Sequence, residues 1–229
     1  MDNNFVKRIT VFCGHYGSGK TNIAVNYALK LKESGKRAII ADLDIVNPYF
    51  RTKDSMSVLE KNGVKLISST YANSNVDVPA LPAEAYSVLH DKEAFAVIDV
   101  GGDDRGALAL GRFSEGIVSE GNYEIFFVIS KYRPLTRTAD DVLAVISEIE
   151  NACHMKVTGI VNNSNIGDDT TAEDVLASLE YAQEVSRKAN IPVKMTTVRA
   201  ALYDELKDKI ENLMPLTLFV RQSWAERNE

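Results

Sequence analysis

The chain has 229 residues, 45% hydrophobic and 25% charged, which is enough apolar material for the core of one α/β domain and excludes collagen-like, disordered and disulfide-scaffold classes. Its 26 Lys and Arg against 32 Asp and Glu give a formal charge of −6, so no general attraction to nucleic acid or to an anionic membrane is expected. Two distant cysteines, Cys13 and Cys153, and the scattered His15, His90 and His154 give neither a disulfide framework nor the spacing of a zinc site.

In chain order, short apolar runs alternate with longer segments patterned at helical spacing, which predicts a single α/β domain over residues 1–229 with a mostly parallel sheet of about seven strands. The runs 8–13, 37–41, 64–67, 94–100, 124–130, 156–161 and 191–196 are nearly continuous in Val, Ile, Phe and Ala, as strands buried on both faces are. The first run is followed by Gly14, His15, Tyr16, Gly17, Ser18, Gly19, Lys20 and Thr21, the full pattern G-x-x-x-x-G-K-[ST]. Between a strand and a helix, such a loop turns its backbone N–H groups inward around phosphate oxygens, and the helix N-terminus adds its positive end. Residues Gly14 to Asn22 are therefore assigned to a nucleotide, with Lys20 neutralising the β- and γ-phosphates and the Thr21 hydroxyl ligating Mg²⁺. A dinucleotide fingerprint would need a third glycine where Asn22 stands, although Asp42 lies where a ribose-binding acid would be.

The next segment, 21–33, carries the stripe Ile23, Ala24, Tyr27, Ala28 and Leu31 and stops at Gly35. The second strand ends in Asp42-Leu43-Asp44. Carboxylates two residues apart in extended chain point the same way, so one of Asp42 and Asp44 is expected beside Mg²⁺ and the other beside a water aimed at the γ-phosphate. A long polar connection, 68–78, and a helix over 83–90 precede the fourth strand, which closes in Asp99-Val100-Gly101-Gly102. Asp99 is placed to hold Mg²⁺ through water, and Gly102 to offer its N–H to the γ-phosphate from a loop that reshapes on hydrolysis. The segment 107–118 is helical in pattern but is punctuated by Gly111 and Gly116 and bounded by Gly106 and Gly121, so it is expected to be the most mobile helix. Thr138 with Asp141, and Thr171 with Asp174, predict capping boxes opening two more helices, with the second long polar connection, 163–170, just before Thr171. The apolar tail, 212–229, is read as a last helix packed on the core, its rival being an exposed apolar patch for a partner or a membrane.

The stretches GHYGSGKTN, IIADLDIVNPYF and FAVIDVGG resemble the Walker A, switch I and Walker B regions of the ParA/MinD-like P-loop ATPases, a group with the nitrogenase iron protein and dethiobiotin synthetase as cousins. The likeness runs from about Ile9 to Met195. It implies a three-layer P-loop NTPase domain with ATP and Mg²⁺ as cofactors, Lys20 and Thr21 on nucleotide and metal, Asp44 on the hydrolytic water and Asp99 as the Walker B acid. The family's signature lysine follows the first glycine, where this chain has His15. A nucleotide-dependent homodimer activated across its interface would then need Arg51 or Arg133 as the cross-subunit cation. The cysteines that bridge an iron–sulfur cluster in the iron protein have no counterpart.

After the sixth strand, Asn162-Asn163-Ser164-Asn165 lacks the Asp with which an N-K-x-D pattern reads guanine. An amide suits the N6/N7 edge of adenine, and the ParA/MinD-like resemblance implies an Asn at this point, so Asn162 is the expected base contact, with Thr197 and Arg199 over the other face. The leading reading is a Mg²⁺-dependent ATPase that switches conformation and binding to an unidentified protein partner. The alternatives are an ATP-dependent small-molecule ligase or kinase resembling dethiobiotin synthetase, with a pocket formed by residues 68–78, and a nucleotide-binding module with negligible turnover. The N-terminal residues do not read as a secretory signal, and no stretch reads as a transmembrane helix; a cytoplasmic protein is the expectation.

Overall fold

The computed structural model describes residues 6–44, 56–68 and 83–219. Every apolar run in these segments forms a strand: β1 (Ile9–Cys13), β2 (Ala38–Asp42), β3 (Lys65–Ile67), β4 (Phe95–Asp99), β5 (Tyr123–Ile129), β6 (Gly159–Asn162) and β7 (Val193–Arg199). An eighth strand, β8 (Leu213–Leu216), stands where the tail was expected to be helical. Pro215 cannot supply a helical N–H and is tolerated here because β8 is an edge strand. Among the described residues all neighbouring strands run parallel in the order β3-β2-β4-β1-β5-β6-β7-β8, which bears out the expected parallel sheet of about seven strands and adds β8 as an eighth.

This order places the site. From β1 the chain builds one side of the sheet, returns to insert β4 beside β1, and crosses to the other side with β5. The carboxyl end of β1 is therefore a topological switch point, where open parallel sheets leave a crevice.

Because side chains alternate along a strand, each run feeds two cores. Phe12, Ile40, Val97, Phe126, Val128 and Val161 face α1 (Lys20–Glu33) and α2 (Met56–Lys61). Val11, Cys13, Ile98, Phe127 and Ile129 face the opposite layer. That layer contains α3 (Ser87–His90), α4 (Asp104–Gly111), α5 (Ser114–Glu120) and α6 (Ala139–Cys153). After α7 (Ala172–Ala177) it is completed by α8 (Leu179–Ala189). A smaller cluster packs α7 and α9 (Ala200–Leu206) against Val198 and Ile210.

Both predicted capping boxes form, Thr138 with Asp141 and Thr171 with Asp174. The helix expected from Thr171 divides at Ser178, whose hydroxyl donates to the Val175 carbonyl at 2.6 Å. The segment over 107–118 also divides, into α4 and α5. Its glycines answer to close packing: a Cβ on Gly106 would lie 2.5 Å from the Gly101 carbonyl oxygen, and one on Gly116 2.6 Å from Leu89 Cδ1. The helix expected over 83–90 is a 3₁₀ turn, Ala83–Tyr86, followed by α3. Among the described residues no helix is long and apolar enough to cross a membrane. Arg51, nearly all of the 68–78 connection and the last ten residues of the tail lie outside the described residues.

Candidate functional site

β1 delivers the chain into a loop whose shape depends on glycine at two points. Gly14 has φ +136°, and a Cβ there would lie 2.6 Å from the Val128 carbonyl oxygen; Gly19 has φ +87° and abuts the Asn163 side chain. Gly19 is also the N-cap of α1, and no side chain caps that helix, so its first N–H groups remain for another acceptor. The loop is closed by the Ser18 N–H donating to the His15 carbonyl at 3.3 Å. Lys20 Nζ donates to the same carbonyl at 3.0 Å from a side chain only 7% exposed. Burial lowers its pKa, and the negative charges of Asp99 and Asp44 oppose that shift. The Ser18 hydroxyl is buried with no hydrogen-bond partner among the described residues.

The acids meet at the same sheet edge. Asp42 and Asp99 are register partners on β2 and β4, and both are buried. The expectation of two carboxylates sharing one direction in extended chain is corrected: β2 ends at Asp42, whose Oδ1 accepts the Asp44 N–H at 2.9 Å. This turn sends Asp44 towards Gly101, with its Oδ1 3.2 Å from where a Cβ on Gly101 would sit. Gly102 rests on the phosphate loop; a Cβ there would lie 2.5 Å from Tyr16 N and 2.6 Å from Tyr16 Cα.

Among the described residues no group of three or more His, Cys, Asp or Glu could hold a metal. Mg²⁺ does not require such a cage, since it is usually held by one or two carboxylates, waters and substrate phosphates. The hydroxyl of Thr21 and the carboxylates of Asp42 and Asp99 are hard oxygen donors, and they fit that chemistry.

Two expected contacts are redirected. Asn162 is fully buried: its Nδ2 donates to Ser178 Oγ at 2.9 Å, and its Oδ1 accepts the Ser164 hydroxyl at 2.7 Å. Both ends of that amide are hydrogen-bonded inside the protein. Asn22 Oδ1 accepts the Phe219 N–H at 2.9 Å, and Asn26 exchanges two hydrogen bonds with Thr217. These asparagines tie the segment after β8 to α1. Thr197 is buried and Arg199 pairs with Asp168. His15 Nδ1 lies 3.1 Å from the Tyr16 carbonyl oxygen, and the Tyr16 side chain is exposed.

The sequence reading passed over Asn163 as a site residue. Its Nδ2 donates to the Ser18 carbonyl at 2.7 Å and its Oδ1 accepts from Thr197 Oγ1 at 2.7 Å. The phosphate loop is thereby braced to β7, beyond β6. Arg133, expected only as a cation for a second subunit, lies against Gly17 of its own chain.

No protein-family model matches the chain, and no curated protein matches it. Solved structures do match. The cell division protein FtsY of Thermotoga maritima aligns at 21% identity over 83% of this chain and 61% of its own, with a TM-score of 0.56. Chloroplast FtsY of Physcomitrella patens aligns at 20% identity over 82% and 57%, with a TM-score of 0.56. The signal recognition particle 54 kDa protein of Aeropyrum pernix K1, solved in complex with GDP, aligns at 15% identity over 86% and 42%, with a TM-score of 0.53. The chain thus spans at most about three-fifths of the length of these three proteins. The likeness establishes the fold, that of P-loop NTPases. These neighbours are FtsY proteins and a signal recognition particle 54 kDa protein, and the ParA/MinD-like resemblance rests on the motifs alone.

Proposed function

We propose that this chain binds a nucleoside triphosphate with Mg²⁺, hydrolyses it, and uses occupancy of the site as a conformational switch. The observation that carries the proposal is the placement of Lys20: a buried ammonium drawn into the mouth of a glycine loop, with Asp99 and Asp44 acting on it from β4 and from the turn after β2. An isolated buried cation is unfavourable, and a polyphosphate is the partner that this arrangement of N–H donors and positive charge fits.

Thr21, Asp42 and Asp99 would hold Mg²⁺, which would supply charge neutralisation at the β- and γ-phosphates. Lys20 and the loop N–H groups hold the phosphates, and Asp44 orients the attacking water. Gly102 packs on Tyr16, so phosphate entering beside Tyr16 displaces Gly102 and, through the close Gly101–Gly106 contact, the start of α4. Tyr16, Leu108, Leu135 and Ile166 are exposed apolar side chains in segments that follow strand ends. They offer the face on which a protein partner or a second copy responds to this movement.

ATP is the proposed nucleotide, because residues 162–165 carry amides and a hydroxyl but no carboxylate to read guanine. The guanine reading has one observation in its favour: a structural neighbour was solved with GDP. Parallel measurements of ATP and GTP hydrolysis decide between them, a higher kcat/KM for ATP being the expected result. Asp44→Ala is expected to retain ATP binding while losing hydrolysis. Equal loss of binding would assign Asp44 to metal retention or structure.

A further inference from the structure

Arg133 follows β5 in a loop that leaves it little freedom. Its N–H donates to the Ser130 carbonyl at 3.2 Å, and its own carbonyl accepts the Thr136 N–H at 3.1 Å. Thr136 Oγ1 donates to the Ser130 carbonyl at 2.9 Å, and the Tyr181 hydroxyl donates to the Thr136 carbonyl. The preceding side chains are engaged elsewhere: Lys131 Nζ donates to the Ala177 carbonyl at 2.9 Å, and the Tyr132 hydroxyl to the Asp174 carbonyl at 2.8 Å. The Arg133 guanidinium has no hydrogen-bond acceptor among the described residues. It spreads instead over the phosphate loop, its Cζ and Nε 3.8 Å and its Nη1 3.9 Å from where a Cβ on Gly17 would sit.

The charge balance of the loop calls for a second cation. Lys20 is bonded to His15 and faces the negative charges of Asp99, Asp44 and Asp103. The residue after the first glycine, His15, is turned onto the neighbouring backbone. Arg133 is always charged, is planar, and presents several donors in a fixed fork suited to phosphate oxygens.

We propose that Arg133 supplies the second cation of the phosphate site from within the same chain and acts on the γ-phosphate as its charge redistributes during hydrolysis. The proposal rests on the reading of the chain as a nucleoside triphosphatase. In that reaction water attacks the γ-phosphorus and the bond from γ-phosphorus to the bridging oxygen breaks. The electron pair leaves with the diphosphate, inorganic phosphate keeps the attacking oxygen, and one proton is released. A guanidinium over Gly17 lies on the loop that receives the β- and γ-phosphates, where the developing charge falls. Hydrolysis then needs no cation from a second subunit, and the absence of the signature lysine is compensated in cis.

The test compares the unaltered chain with Arg133→Ala, Arg133→Lys and Lys20→Ala. Arg133→Ala is expected to bind Mg·ADP within about threefold of the unaltered chain yet to hydrolyse ATP at least about 1,000-fold more slowly, the lower end of the range known for arginines in this role. Arg133→Lys recovers part of the rate, because the charge returns without the fork. A second readout needs no turnover: the affinity for Mg·ADP with tetrafluoroaluminate falls at least about tenfold in Arg133→Ala, as expected for a group that acts on the transition state. An equimolar mixture of Lys20→Ala and Arg133→Ala stays inactive, since each chain lacks a cation of its own. Recovery of activity in the mixture would place the arginine in trans and overturn the proposal. So would unchanged rate and fluoroaluminate affinity in Arg133→Ala, or equal losses of ADP and fluoroaluminate binding. An unaltered chain that binds no nucleotide defeats the nucleotide reading itself and this assignment with it; a chain that binds but ignores Arg133 defeats only the assignment.

Discussion

Replacing Gly102 with alanine tests whether the loop after β4 rests on the phosphate loop. The new Cβ would lie 2.5 Å from Tyr16 N, 2.6 Å from Tyr16 Cα and 3.1 Å from His15 C, against about 3.5–4.0 Å for ordinary carbon contacts. Main chain lies on the far side, so no rotamer relieves the clash, and one loop must move by roughly 1 Å. Overpacking of this kind costs about 1–3 kcal/mol, which lowers the melting temperature of a domain this size by about 2–12 °C. A displacement of about 1 Å in a catalytic cradle also costs on the order of 100-fold in kcat/KM. Gly101→Ala is the comparison, because its nearest neighbour is the Asp44 Oδ1 at 3.2 Å, a side-chain end that can turn aside; its expected cost is below about 1 kcal/mol. Neither glycine has a φ in the left-handed region, so the pair isolates contact from backbone strain. Thermal unfolding and steady-state hydrolysis are the assays. Gly102→Ala melting within about 1 °C of the parent with unchanged kcat/KM would refute the reasoning.

Asn163→Ala removes the bond to the Ser18 carbonyl and leaves Thr197 Oγ1 only its longer bond to the Asn162 carbonyl at 3.4 Å, and urea unfolding is expected to show a loss of about 1–3 kcal/mol from the buried partner that is lost. Nucleotide affinity should fall with it; a stability loss at unchanged affinity would show that Asn163 braces β6 without shaping the loop. Burial pushes the Cys13 thiol up to about 12 from 9.0, so the unfolded chain ionises first as pH rises. Its contribution is fully present below pH 9.0 and is lost as pH climbs towards about 12, amounting to about 2 kcal/mol by roughly pH 10.5. Urea unfolding of the parent and Cys13→Ala across that window should give pH profiles that diverge by this amount, and parallel profiles would contradict it.

The strands were legible because burial on both faces leaves continuous apolar runs, and the phosphate loop because its backbone geometry restricts Gly14 and Gly19 to glycine. β8 was missed because Leu213, Met214 and Leu216 fit either period over so short a stretch, and Pro215 marks an edge strand only once the sheet order is known. Asn162 was placed correctly at a strand end, but sequence position fixes neither which way its amide turns nor that Ser178 and Ser164 wait inside. Asn22 drew a nucleotide role from adjacency to Lys20 and Thr21, although its bond partner lies at Phe219, far along the chain. The glycines around α4 and α5 read as weak helix propensity, whereas Gly106 and Gly116 are set by tertiary neighbours at Gly101 and Leu89. Long-range partners of this kind leave no local spacing to read.

The central claim is that the Gly14–Thr21 loop holds a nucleoside triphosphate. Calorimetric titration of Mg·ATP into the chain and into Lys20→Ala tests it most directly, with the melting curve of each nucleotide-free protein as the control for folding. One-to-one binding is expected to weaken by at least about 100-fold in Lys20→Ala, roughly 2.7 kcal/mol, while the variant still unfolds cooperatively. Equal affinity in the two proteins, or no binding in the parent, would contradict it.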